Sequence, residues 1–259
     1  MSEHILVERP QQYGGAVQVI RFNRPDKMNA ITRAMYGTMV EALEDGDADE
    51  SVRVHVFLGA PGCFTAGNDM ADFLSYAVHG RMGESEVGSF LHTLANVRKP
   101  MVAGVDGLAI GIGVTMHFHC DLTFTTERSE FRTPFVDLAL LPEAGSSLLG
   151  PAVLGYQRAF AMLAAGIGFS GQEACDAGLI YKVVEESELE SVTLAAAQGI
   201  ASKPPQAMQI ARDLIRGGAR DEVIARIRKE TELFSERLGS PEARAAFEAF
   251  LARSSKKAG

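Results

Sequence analysis

The chain has 259 residues, 46% hydrophobic and 22% charged, which suits one large domain or two small ones around a dry core and excludes a disordered chain. Lys plus Arg number 25 against 33 for Asp plus Glu, so the formal net charge of -8 argues against a general attraction to nucleic acid or a membrane surface, although a local site can still hold an anion. Cys63, Cys120 and Cys175 are too widely spaced for a disulfide framework, and without a basic start or a long apolar run the chain reads as cytoplasmic, with no signal peptide or membrane span.

In chain order, residues 5–9 and 16–22 predict a hairpin turned by Gly14-Gly15. The loop Asn23-Arg24-Pro25-Asp26-Lys27-Met28-Asn29-Ala30 precedes a helix from about Thr32 with Met35, Met39 and Leu43 on one face, fraying near Gly46. Residues 52–59 alternate as a strand, and Pro61-Gly62 breaks the chain. Residues 80–88, rich in glycine and mixed in charge, read as a mobile loop before a helix to about Asn96. Residues 101–105 predict a strand, residues 107–113 the opening of a buried helix to about Cys120, and residues 122–125 and 130–132 two more strands. Ser170-Gly171-Gln172-Glu173 has the capping-box pattern, with Gly178 as a C-terminal glycine, and Ser187-Glu188-Leu189-Glu190 repeats it. Lys203-Pro204-Pro205 marks the clearest boundary, dividing residues 1–202 from a helical region, 203–259, with helices near 206–216, 220–238 and 241–252. Strands separated by helices, then helices alone, predict an α/β core with an all-helical tail.

Three segments could carry chemistry. In Phe64-Thr65-Ala66-Gly67-Asn68-Asp69 the glycine permits a tight turn, and a helix starting there would leave the Asn68 N–H free for an oxyanion; a plain strand-to-helix turn is the other reading. The run from Gly104 to Gly113 lacks the dinucleotide fingerprint and the phosphate-loop ending, and either packs a helix closely on a strand or presents the Ile112 N–H to a ligand. Glu143 follows Phe135, Leu138, Leu140 and Leu141, and is either a buried carboxyl of raised pKa, suited to acid/base work, or a solvent-facing residue of a first helical turn. His117, His119 and Cys120 do not share one helix face, so they read as core or interface residues and no metal is assigned. The charged stretch 220–237 reads as a solvated face.

Taken together, Phe64-Thr65-Ala66-Gly67-Asn68-Asp69, Gly107-Leu108-Ala109-Ile110-Gly111 and Thr133-Pro134-Phe135 with Pro142-Glu143 resemble the crotonase superfamily of enoyl-CoA hydratases and isomerases, in order over most of the chain. The resemblance implies a crotonase-like spiral of ββα units with a helical C-terminal trimerisation region, hence a homotrimer or hexamer. It implies an acyl-CoA substrate and no cofactor beyond the coenzyme A thioester. The thioester oxygen would rest on the backbone N–H groups of Asn68 and Ile112, with Ala66 near the adenine. Lys27 is a candidate for the phosphates, or else a surface lysine. Hydratases of the family use two glutamates, and this chain has Thr115 and Phe135 at those places. Glu143 stands where hydratases usually carry glycine, which resembles the Δ3,Δ2-enoyl-CoA isomerase branch with its single acid/base. Thr115, Phe135 and Leu140 would line the acyl pocket. Alternatives are a hydratase using Glu143 alone, a thioester hydrolase or dehalogenase, and a CoA-binding protein without turnover. A nucleotide-dependent oxidoreductase is disfavoured by the missing fingerprint. Phe250, Arg253 and Lys256, in the region where a neighbouring subunit of the family can complete the CoA pocket, are left unassigned.

Overall fold

The computed structural model describes residues 2–72, 83, 85–216 and 218–257. Its strands are β1 (Ile5–Glu8), β2 (Val17–Phe22), β3 (Val54–Leu58), β4 (Cys63–Thr65), β5 (Met101–Val105), β6 (Leu108–Ile110), β7 (Leu122–Thr125), β8 (Glu130–Arg132), β9 (Phe169–Ser170) and β10 (Lys182–Val183). Its helices are α1 (Arg33–Ala48), α2 (Glu86–Asn96), α3 (Ile112–Thr115), α4 (Ser146–Leu154), α5 (Tyr156–Leu163), α6 (Gly171–Asp176), α7 (Leu189–Ala201), α8 (Pro205–Ile215), α9 (Arg220–Leu238) and α10 (Pro241–Lys257).

Two sheets share the strands. The larger runs β1-β2-β3-β5-β7-β10 and the smaller β4-β6-β8-β9. From β3 to β8 the chain alternates between them, one strand to each, with α2 after β4 and α3 after β6. This is a spiral of ββα turns, the mixed α/β architecture expected from the sequence. Both faces of the large sheet are covered, so its strands read as near-continuous apolar runs. Ile20, Phe22, Phe57 and Met101 join Met35, Met39 and Leu43 of α1 and Phe90, Leu91 and Leu94 of α2 in one core. Val17, Val19, Val54, Val56 and Val102 point the other way, onto Leu189, Leu194 and Ala197 of α7. Each fully buried aliphatic or phenyl side chain contributes about 1.5–3 kcal/mol.

Local signals place most elements. Thr32 caps α1 through its hydroxyl, which accepts from the Met35 N–H. The Ser170–Glu173 capping box forms with both bonds, and Gly178 adopts φ +88° just beyond α6. Pro205 and Pro241 each open a helix, and beyond Lys203 the described secondary structure is helical.

Four expectations are corrected. Helix α1 does not fray at Gly46. That glycine is where the helix lies closest to the sheet, because a Cβ there would sit 2.6 Å from Gln18 Nε2. Residues 108–110 form β6 and not the start of a helix: Gly107, at φ +73°, turns the chain hard against the Gly62 carbonyl, and pairing with β4 follows. Helical structure there is limited to α3 and a 3-10 turn over Met116–His119. Ser187 caps nothing; it lies inside a 3-10 turn, Glu186–Glu188, and Glu190 is drawn across to Arg21 at 2.7 Å. Of the stretch 80–88, residues 80–82 and 84 lie outside the described residues, and α2 already begins at Glu86. The two-residue strands β9 and β10 carry too few side chains to leave a pattern in the sequence.

Candidate active site

Strands β4, β6 and β8 are parallel neighbours in the small sheet, so their C-terminal ends open on one side. Ligands of parallel sheets gather at that edge. The three segments singled out from the sequence leave these three strand ends in succession: Ala66-Gly67-Asn68 after β4, Gly111-Ile112-Gly113 after β6, and Thr133-Pro134-Phe135 after β8.

The first two loops touch. Gly67 has φ +85°, and a Cβ on it would come within 2.9 Å of the Ile110 carbonyl oxygen. A Cβ on Gly113 would meet Thr65 Cγ2 at 2.5 Å. Glycine is required at Gly67 on both counts, conformation and space. Asn68 forms a parallel bridge with Ile31: the Ile31 N–H donates to the Gly67 carbonyl and the Asp69 N–H to the Ile31 carbonyl. Strand alternation then turns the Asn68 N–H the opposite way, and no acceptor among the described residues takes it. Helical residues begin only at 70, so the bridge, and not a helix start, frees this donor. The Asn68 side chain is tied off, its Oδ1 accepting from the Tyr36 hydroxyl at 2.6 Å. Ile112 is the first residue of α3, and its N–H likewise meets no acceptor among the described residues.

Glu143 lies 4% exposed between β8 and α4, two residues short of the Gly145 that caps α4. The alternative of a solvent-facing residue in the first helical turn therefore does not hold. Its Oε1 accepts from Thr115 Oγ1 at 2.5 Å. Burial pushes the carboxyl up to about 8; the Thr115 hydrogen bond opposes this, and the charge of Glu230 adds to it. Thr115, Phe135 and Leu140 are all buried, and the Leu140 N–H donates to the Phe135 carbonyl at 2.8 Å. At the other end, Lys27 is exposed on a 3-10 turn, Pro25–Lys27. The next residue, Met28, accepts the Ala66 N–H at 2.9 Å. Buried Asn29 fastens this turn to β4 through Nδ2, which donates to the Cys63 and Phe64 carbonyls. Lys27 and Ala66 are thus on adjoining loops. The side chains of Arg253 and Lys256 lie outside the described residues.

A family model described as enoyl-CoA hydratase/isomerase matches residues 12–257. The chain belongs to the enoyl-CoA hydratase/isomerase family. It is 34% identical over 248 residues to enoyl-CoA delta isomerase 2 of Rattus norvegicus, covering 93% of this chain and 63% of the relative, so it spans less than two thirds of that protein. It is 32% identical over 243 residues to the peroxisomal enoyl-CoA delta isomerase 3 of Mus musculus, covering 92% and 76%. The structure of Pseudomonas aeruginosa OdaA superposes with a TM-score of 0.91 at 40% identity, covering 96% of this chain and 99% of that one.

In this member of the enoyl-CoA hydratase/isomerase family, His117 and His119 are buried and held neutral, burial lowering them to about 3 and about 4. His119 Nε2 lies 2.7 Å from the Ala144 carbonyl, directly after Glu143, and so donates to it. Three participants escaped the sequence reading. Tyr36 could have been found, because it shares the apolar face of α1 with Met39 and Leu43. Asn29 and Glu230 could not. Glu230 sits in the charged stretch read as a solvated face, yet it is 6% exposed and accepts from the Gly145 N–H at 2.6 Å and the Ser147 N–H at 3.0 Å. Among the described residues no helix is long and apolar enough to cross a membrane.

Proposed function

We propose that the protein shifts the double bond of a 3-enoyl-CoA to give the conjugated 2-enoyl-CoA, with Glu143 as its single acid/base. The observation that carries this reading is the buried Glu143 carboxyl, hydrogen-bonded to Thr115, which stands where hydratases of the family carry the first of their two glutamates. The thioester oxygen rests on the Asn68 and Ile112 N–H groups. Glu143 takes a proton from C2, charge spreads over a dienolate, and the two donors stabilise it, each by about 3 kcal/mol. Protonated Glu143 returns the proton at C4. The proton leaves and returns on one molecule, so one carboxyl suffices and no water is consumed. Phe135 and Leu140 keep the carboxyl dry, which favours proton return over hydration. Ala66 supplies backbone to the adenine end and Lys27 a cation to the phosphates.

Self-association as a trimer, or a pair of trimers, belongs to the same reading. Exposed Phe160, Ile167, Leu214 and Ile215 support it, being apolar surface of the kind that interfaces cover. Sedimentation of the free protein tests it; a monomer at micromolar concentration rejects it.

The decisive assay incubates the protein with 3-hexenoyl-CoA and, separately, with crotonyl-CoA. Conjugation of the first, lost in Glu143→Gln while CoA binding survives, supports the proposal. Efficient hydration of the second, unchanged in that variant, rejects it. Tight thioester binding without turnover would favour a binding protein.

A further inference from the structure

Glu143 sits at the start of an unusual turn. Ala144 has φ +60° and Gly145 φ +72°, so two consecutive residues are left-handed, the first of them with a side chain. A left-handed residue bearing a Cβ costs about 1–2 kcal/mol and persists only where its surroundings over-determine it. Here they do so from two sides. His119, from the segment after β6, donates to the Ala144 carbonyl at 2.7 Å. Glu230, from the middle of α9, places Oε2 at 2.6 Å from the Gly145 N–H and Oε1 at 3.0 Å from the Ser147 N–H. Such a turn, followed by a helix start, is an anion-binding concavity of backbone N–H groups. In this protein a side chain from another helix fills it. A Cβ on Gly145 would lie 3.1 Å from Val223 Cγ1, two turns before Glu230 on the same face of α9, so that face closes over the turn.

We infer that Glu230 is a positioning residue for Glu143: its carboxylate locks the Ala144-Gly145 turn and thereby sets where the Glu143 side chain enters the site. This rests on the reading of Glu143 as the acid/base. A backbone rotation at Ala144 would carry Glu143 away from Thr115, and the bonds from His119 and Glu230 oppose it. The other charged groups around the turn are Arg226, whose Nη1 donates to Ser147 Oγ at 3.0 Å, Arg216, which donates to the His119 carbonyl, and Arg237, which donates to the Ala139 carbonyl at 3.3 Å. His119 is held neutral by burial, which lowers it to about 4. Burial raises Glu230, while its two N–H partners and Arg226 favour the carboxylate. Its negative charge in turn makes Glu143 harder to ionise.

The test compares Glu230→Gln, Glu230→Asp and Glu230→Ala with the parent protein on 3-hexenoyl-CoA. The amide can satisfy one of the two N–H groups, so kcat should fall about tenfold while KM stays within about twofold. The inflection of the pH profile should move to lower pH, because a like charge near Glu143 has gone. Glu230→Ala, which satisfies neither donor, should lose about 100-fold in kcat, and Glu230→Asp should recover part of it. A purely structural role would lower Tm and leave the inflection where it is. Wild-type kcat and inflection in a folded Glu230→Gln overturn the inference. Should no variant fold, hydrogen exchange on the parent protein decides: slow exchange at Gly145 and Ser147 supports the clamp, and exchange at the rate of an exposed loop overturns it. Activity surviving in Glu143→Gln would instead reject the reading of Glu143, whatever Glu230 does.

Discussion

In the proposed reaction Glu143 takes a proton from carbon, and its surroundings make it a stronger base than a carboxylate in water. Burial lifts it from 4.5 to about 8, with Thr115 as the counterweight. The ionised form is the base. Isomerase kcat/KM should therefore rise about tenfold per pH unit below the inflection and level off above a pH near 8. Thr115→Val removes the only hydrogen bond from the described residues that favours the carboxylate, and should move the inflection up by about one pH unit. A stopped-flow pH profile of both proteins measures this; an inflection that stays put would show that Thr115 does not tune Glu143. Glu143→Gln should cost about 100- to 10,000-fold in kcat, the usual contribution of a positioned acid/base.

Among the elements, the loop after β4 is the one with least tolerance. Gly67→Ala adds a Cβ within 2.9 Å of the Ile110 carbonyl oxygen at a φ of +85°, so either the Asn68 or the Ile112 side of the site must move. Losing one oxyanion donor costs about 100- to 1,000-fold in kcat, and that loss, with Tm lowered by about 2–8 °C from the strained φ, is the expected result in steady-state kinetics and a thermal melt. Which elements the sequence revealed follows from how local their causes are. Helices α8 and α10 are announced by Pro205 and Pro241, and the hairpin by its glycines. Strand β6 is not, because three residues between glycines carry no period, and only pairing with β4 and β8 makes them a strand. The donors Asn68 and Ile112 were legible as backbone positions beside glycines. Glu230 was invisible, since a glutamate in a charged helix looks the same whether it meets water or the turn beside Glu143.

For the molecule as a whole, the raised Glu143 has a thermodynamic cost. The unfolded chain releases this proton near 4.5 and the folded chain near 8, so between those values the folded state binds more protons and loses stability as pH rises. Glu143→Gln should melt at least about 2–4 °C above the parent at pH 8, and the gap should close at pH 5; a constant gap would contradict this. The helical tail is also fastened to the core. Arg212 of α8 donates through Nε to Asp121 at 2.8 Å and through Nη1 to the Val97 and Arg98 carbonyls. Asp121 is partly exposed, so Arg212→Met should cost about 2–3 kcal/mol, seen as a lower midpoint in urea with an unchanged slope. The strand ends of the small sheet divide the work in a way that matters for engineering. The groups placed for charge stabilisation are peptide N–H groups, which ordinary side-chain exchange leaves in place. In the proposed reaction the side chains that hold or shield the proton stand at position 115, at the end of α3, and at positions 135 and 143 after β8. A carboxyl can be added, moved or deleted among those three positions while the electrostatic cradle stays intact, so the scaffold separates holding a thioester from choosing what is done to it.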